Sequence, residues 1–192
     1  VVADMVRRAL RDESGDMLVF LPGRGEINRV MDKLSDDPSI SHVNLLPLHS
    51  EIRGEVQDKI LSPGGDGRRR VILATNIAET SLTIPGVRVV IDSGQMRVPR
   101  FNVRRGISGL ETISVSRASA EQRAGRAGRQ EPGVCYRLWT EREQAELAPF
   151  NVPEIMHADL APLLLELAAW GSIQPQNFSF LDYPPDSQVG QA

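Results

Sequence analysis

Hydrophobic positions along the chain fall into two patterns that take turns. Residues 17–21, MLVFL, form an unbroken apolar run with Gly15-Asp16 before it and Pro22-Gly23 after it, as in a parallel strand buried on both faces. Ile27, Val30, Met31 and Leu34 then stand at i, i+3, i+4 and i+7, one apolar stripe that predicts a helix lying on a sheet. The alternation continues with a strand over residues 43–48, a helix over 56–61, strands over 71–74 and 87–91, and a last strand over 135–139. Residues 62–69, with Pro63 and three glycines, read as a surface loop. Strands separated by helices predict an α/β fold: a parallel sheet with helices on both faces.

Two segments depart from that rhythm. Within residues 95–116, Val98, Phe101 and Val103 alternate before Gly106, and Leu110, Ile113 and Val115 follow Gly109, which predicts a projecting β-hairpin. Near residue 150, Pro149, Pro153 and Glu154 mark a linker. Beyond it Asp159 is the expected N-cap of a helix carrying Leu160, Leu163, Leu164, Leu167 and Trp170, with Pro162 in its first turn and Gly171 as its stop. The chain is therefore expected to divide into a domain over residues 1–150 and the start of another over 151–192, with a frayed tail over 182–192.

Composition narrows the class. The 192 residues are 41% hydrophobic and 24% charged, a globular balance that excludes disorder, collagen and a disulfide scaffold. No apolar run reaches the roughly 18 to 20 residues that span a bilayer, and no basic segment leads into a hydrophobic one at the N-terminus. A cytoplasmic protein without a membrane partner is expected. Cys135 has no second cysteine to pair with, and His42, His49 and His157 lie too far apart for metal-ligand spacing. The chain does not begin with Met, so it is expected to be a piece of a longer protein.

Charge is more informative in its distribution than in its total. The net charge is −3, yet residues 93–130 hold eight arginines against two glutamates, a local +6 that leaves −9 for the rest. Such asymmetry suits an anion-binding face on an acidic domain. At its heart lie residues 122–129, QRAGRAGR. Continued as a helix, this string sets Arg126 and Arg129 at i and i+3, on one side. A guanidinium fork donates two parallel hydrogen bonds to phosphate and keeps its charge. Across a cleft from a bound nucleotide, such a pair can serve as an arginine finger.

The whole string resembles motif VI of the superfamily 2 helicases, in the form used by the DEAH/RHA group. Residues 74–84, ATNIAETSLTI, resemble that group's motif V; residues 18–27, LVFLPGRGEI, its motif IV; and residues 46–50, LPLHS, its motif IVa. PGVCYRLWT at 132–140 and PEI at 153–155 are similar too, and the LLLELAAWG helix is most similar to the bacterial HrpB-type branch. The resemblance covers about residues 12–186. It implies a second RecA-like domain with a projecting hairpin, followed by the start of a winged-helix domain, within an ATP-dependent RNA helicase.

Carried over position by position, the resemblance implies that Gln122, Arg126 and Arg129 face the phosphates of ATP. Ser81 would sense the γ-phosphate, with Thr83 beside it and Leu61 under the base. Thr75, Asn76, Gly23 and Arg24 would hold the backbone of single-stranded RNA. Independently of the resemblance, Arg97, Arg100, Arg104 and Arg105, in a stretch with no acid before Glu111, make the hairpin a candidate to engage the RNA strand. Where the family commonly has a stacking aromatic and a ribose-binding Asp, this chain has Leu61 and Pro85, so base and sugar recognition should be weak. The chain has neither a GxxxxGK[ST] phosphate loop nor a DExH sequence. Magnesium ligands are accordingly expected from the first RecA-like domain, the implied intramolecular partner, and the chain by itself should not hydrolyse ATP. Other readings are a non-catalytic RNA-binding or regulatory module, disfavoured by an intact motif VI, and a DNA-directed helicase.

Overall fold

The computed structural model describes residues 1–192 apart from 53, 63–66, 81, 82, 103, 104, 130 and 191 and the side chain of residue 56. In chain order its elements are α1 (Val2–Asp12), β1 (Asp16–Phe20), α2 (Arg24–Ser35), β2 (Asn44–Leu48), α3 (Glu55–Leu61), β3 (Arg70–Ala74), α4 (Ile77–Thr80), β4 (Val87–Asp92), β5 (Gln95–Asn102), β6 (Ile107–Ser114), α5 (Arg117–Ala124), β7 (Val134–Arg137), α6 (Glu141–Glu146), α7 (Ala161–Ala169) and α8 (Asp186–Val189). β2, β3, β1, β4 and β7 lie side by side in that order, all parallel. β5 and β6 make a separate two-stranded ribbon. The expected alternation of strands and helices is what the chain forms. Among the described residues no helix is long and apolar enough to cross a membrane.

The unbroken apolar runs are explained by two cores, one on each face of the sheet. Met17, Val19, Leu73 and Ile91 point to a layer with Ala3, Val6 and Ala9 of α1 and Ile27, Val30 and Leu34 of α2. Their neighbours Leu18, Phe20, Ile72 and Val90 point the other way, onto Ile60 of α3, Ala78 and Ala127. With side chains alternating across the sheet, only a strand apolar at every position can serve both layers. The helix α1 is absent from the elements expected above although its pattern announces it: Ala3, Val6 and Ala9 are buried on one face, Val2, Met5 and Leu10 pack beside them, and charged residues occupy the other side.

The amino ends of the strands are tied by a buried charge. Arg70 opens β3 with its side chain 3% exposed and its guanidinium 2.6 Å from the Asp16 carboxylate. Its Nη1 also donates to the carbonyls of Lys59, Ile60 and Ser62, which end α3, and its Nη2 to Pro85 O at 2.5 Å. Arg70 thereby satisfies the carbonyls that a helix terminus leaves without partners. Gly86 has φ +82°, and a Cβ there would come 2.8 Å from Asp16 Oδ2, so this close approach needs glycine.

Contacts divide the chain into two compact units, residues 1–96 with 113–150 and residues 97–112 with 151–192. In the second, the Phe101 N–H donates to His157 O at 2.9 Å, and Arg100 pairs across the ribbon with Glu111 at 2.9 Å. α7 begins one residue later than expected: its N-cap is Leu160, while Asp159 Oδ1 accepts from the Ala161 N–H at 3.0 Å. Gly171, at φ +103°, ends it. The tail expected to fray carries the single turn α8, and Gln188 Nε2 donates to Met156 O at 3.0 Å.

Replacing Arg70 by Met keeps a long apolar stem and strands the Asp16 carboxylate. The expected loss is ~3–5 kcal/mol, the cost of breaking a buried ion pair from one side. Urea unfolding of the chain measures it, and a loss under ~1 kcal/mol would show that water replaces the guanidinium.

Candidate functional site

A parallel sheet delivers every strand's carboxyl end to one edge, and the loops leaving that edge gather there. β1 passes into Gly23 and Arg24, β3 into Thr75, Asn76 and α4, and β4 ends on Asp92. Backbone bonds stitch these ends together: the Leu21 N–H to Ala74 O at 2.8 Å, the Thr75 N–H to Leu48 O at 3.1 Å, and the Ser93 N–H to Phe20 O at 3.2 Å. Thr75 is half-buried and Asn76 exposed. Their carbonyls accept from the N–H groups of Ala78 and Glu79 at 3.2 and 2.9 Å and so start α4.

Behind this edge lies a buried guanidinium. Arg123 is fully buried, with Nε 3.0 Å from Glu79 Oε2 and Nη1 2.9 Å from Asp92 Oδ1. Nη1 also donates to Gln95 O at 3.2 Å, and its Cζ lies 4.8 Å from the centroid of the Phe20 ring. Asp92 Oδ1 further accepts from the Gly94 N–H at 2.9 Å. Burial holds the Asp92 carboxyl above the ordinary carboxylate range, against the opposing pull of Arg123 and the Gly94 N–H. Neither Glu79 nor Asp92 is among the site residues expected from the sequence. Their available signal was an acid closing the apolar strand VRVVID and another inside the apolar segment NIAETSLTI.

The arginines of the QRAGRAGR string take three different positions. α5 ends at Ala124, so Arg126 and Arg129 do not sit on a helix as expected. Past Gly125 the N–H groups of Arg126 and Ala127 bond three residues back, to Arg123 O and Ala124 O at 3.1 and 3.0 Å. Tight turns replace the helix because Gly125 and Gly128 weaken it. Gly133 pins the return of the chain, since a Cβ there would stand 2.0 Å from Ala127 O. Arg126 is 7% exposed and donates through Nη2 to Glu79 O. Arg129 is exposed, its Nη1 2.9 Å from Thr83 Oγ1.

These turns bring Gln122, Arg126 and Arg129 together around an open pocket of about 400 Å³, completed by Glu79, Thr80 and Gly125. Glu79 is its one acidic lining residue among the described residues, and the Glu79 carboxylate is bonded to Arg123. Burial, and then the positive charge of Arg129, push the Arg126 guanidinium below its ordinary pKa. An anion in the pocket relieves that repulsion. The donor set suits phosphate oxygens; among the described residues the one lining carboxylate, Glu79, is already bonded to Arg123.

The remaining expected residues lie elsewhere. Leu61 is half-buried at the end of α3, outside this pocket's lining, and Arg70 links that helix end to Pro85. Gly23 is the N-cap of α2, and Arg24 pairs with Glu51. In the hairpin, Arg97 Nε is 3.5 Å from Thr112 Oγ1, Arg100 is paired with Glu111, and Arg105 is exposed. Ser81 and Arg104 lie outside the described residues. Burial pushes the Cys135 thiol up to about 11, which leaves it protonated and unsuited to nucleophilic work.

A family model for the helicase conserved C-terminal domain matches residues 2–131. The chain is 48% identical over 184 residues to the ATP-dependent RNA helicase HrpB of Escherichia coli (strain K12), covering 96% of this chain and 23% of that protein. It is 42% identical over 182 residues to the probable ATP-dependent RNA helicase DHX34 of Mus musculus, covering 94% and 16%. A crystal structure of the Escherichia coli DEAH/RHA helicase HrpB superposes with a TM-score of 0.92 at 46% identity, covering 99% of this chain and 24% of that one. The chain thus spans about a quarter or less of the length of these relatives.

Geometry separates a structural arginine from site arginines, and stability measurements read the separation. Arg123→Met should cost ~3–5 kcal/mol, whereas Arg129→Ala should stay within ~0.5 kcal/mol. Without Arg123 nothing but the Gly94 N–H opposes burial at Asp92, so its folded-state pKa rises further above the unfolded ~3.9. The Arg123→Met deficit should therefore be smallest below pH ~4 and grow as pH rises. A deficit flat from pH ~4 to ~8 would show that Asp92 is not the stranded group.

Proposed function

The chain belongs to the helicase conserved C-terminal domain family, and from that premise we propose that it is the second RecA-like half of an ATP-dependent RNA helicase. Residues 1–150 form that half in this reading, and residues 151–192 begin a winged-helix domain. The observation that carries the reading is the pocket of Gln122, Arg126 and Arg129, with two guanidinium groups turned to one space and, among the described residues, a single lining carboxylate, held by Arg123. The names of the relatives supply the substrates, ATP and RNA.

Chemically, the pocket closes on the phosphates of ATP held by a preceding RecA-like domain. That domain supplies the phosphate loop and the magnesium ligands, for which this pocket has no donors. Arg129, exposed and steadied by Thr83, reaches the γ-phosphoryl group and offsets charge as it transfers; Arg126 and Gln122 flank it. Ser81 reads the presence of the γ-phosphate. Leu61 covers the base with apolar surface near Pro85. RNA lies along the carboxyl edge of the sheet, its phosphates on Thr75, Asn76, Gly23 and Arg24, with Arg97, Arg100, Arg104 and Arg105 of the hairpin guiding the strand. Such contacts grip backbone and leave sequence unread. Alternating closure and release of the cleft then moves the strand.

The decisive experiment is steady-state ATP turnover of the full-length protein with saturating single-stranded RNA. Arg129→Ala and Arg126→Ala should each lower kcat by ~10³ to 10⁵ while RNA affinity stays within a few-fold. A kcat within a few-fold of wild type would reduce these arginines to surface charge. For the base position, Leu61→Phe should tighten ATP binding by ~0.5–1.5 kcal/mol relative to CTP, measured by competition against a fluorescent nucleotide. Equal changes for both nucleotides would move the base elsewhere.

A further inference from the structure

The carboxyl ends of β1, β3 and β2 lie side by side, with β3 in the middle. Arg24 stands just past the end of β1 and Glu51 just past the end of β2, and their side chains meet, Arg24 Nη1 donating to Glu51 Oε2. The pair therefore spans the end of β3, where Thr75 and Asn76 leave the sheet. Glu51 is held at this place by a short turn: its N–H donates to His49 Nδ1 at 3.4 Å, and the Ile52 N–H donates to His49 O at 2.9 Å. His49 is itself buried, so the turn is anchored to the domain. Both partners are wet, with side chains 58% and 65% exposed.

We infer that Glu51 sets RNA affinity by acting as the resident counter-ion of Arg24, which an RNA phosphate must displace. The inference rests on the proposed role of Arg24 as a contact to the RNA backbone and adds a residue that this role does not include. A carboxylate and a phosphate oxygen compete for the same fork of guanidinium donors. An exposed ion pair holds its partners by at most about a five-fold factor, so the exchange is easy and reversible. Glu51 loosens the grip without abolishing it, which suits a strand that must be released and retaken.

A double-mutant cycle on the full-length protein tests this, with Kd for a fluorescent single-stranded oligouridylate read by anisotropy over a salt series. Arg24→Ala should weaken binding several-fold. Glu51→Gln should tighten it about two- to five-fold at low salt, with the gain shrinking as salt screens the exposed pair. In the Arg24→Ala background the same Glu51→Gln change should do nothing. Equal tightening in both backgrounds would overturn the inference, because Glu51 would then act only as a negative charge near the path. No tightening, with Arg24→Ala still weak, would overturn it while leaving the RNA contact of Arg24 in place. Arg24→Ala binding like wild type would remove that contact and the inference together.

Discussion

A guanidinium enclosed in the protein interior sets the terms for everything around it. Arg123 has no water to solvate it and must find its partners within the fold, and it finds them on separate elements: Glu79 of α4, Asp92 of β4, the carbonyl of Gln95 at the start of β5 and the ring of Phe20 in β1. Charges taken out of water are tolerated only when paired and hydrogen-bonded. The elements that supply the partners are thereby held in one arrangement. Two carboxylates share one cation, and burial raises Asp92, so the cluster is more than a simple neutral pair. Its value lies in the single geometry it enforces.

That geometry decides what the neighbouring pocket can bind. With its carboxylate bonded to Arg123, Glu79 accepts from Arg126 through its backbone carbonyl. The pocket keeps its positive character although an acid lines it. Arginines three residues apart in the chain then divide the work: Arg123 is buried, Arg126 is nearly so, and Arg129 reaches solvent. A continuous helix would have placed Arg126 and Arg129 on one exposed side. The glycines end α5 early, and the turns that follow aim each side chain separately.

A second buried arginine governs the opposite end of the sheet. Arg70 gathers Asp16, the last carbonyls of α3 and Pro85 O, holding the segment around Leu61 close to the start of β4. The two faces of the sheet are apolar and interchangeable in kind. Its two ends are polar, and each is ordered around one arginine: Arg123 on the carboxylates of Glu79 and Asp92, Arg70 on Asp16 and the carbonyls that end α3.

Much of this could be read from the chain alone. Unbroken apolar runs such as MLVFL, separated by a stripe such as Ile27, Val30, Met31 and Leu34, determine a parallel sheet covered on both faces, because side-chain periodicity is a local property. The string QRAGRAGR likewise marked the positive pocket. Tertiary structure alone decided which arginine serves stability and which faces the pocket, since a guanidinium's role depends on the carboxylates that the fold brings to it. Glu79 and Asp92 lie 44 and 31 residues from Arg123, and no local pattern records such a meeting. The pairing of Arg24 with Glu51, 27 residues on, is of the same kind: the strand order that brings β1 and β2 to either side of β3 is a product of long-range packing, and charge pairs across it follow from that packing.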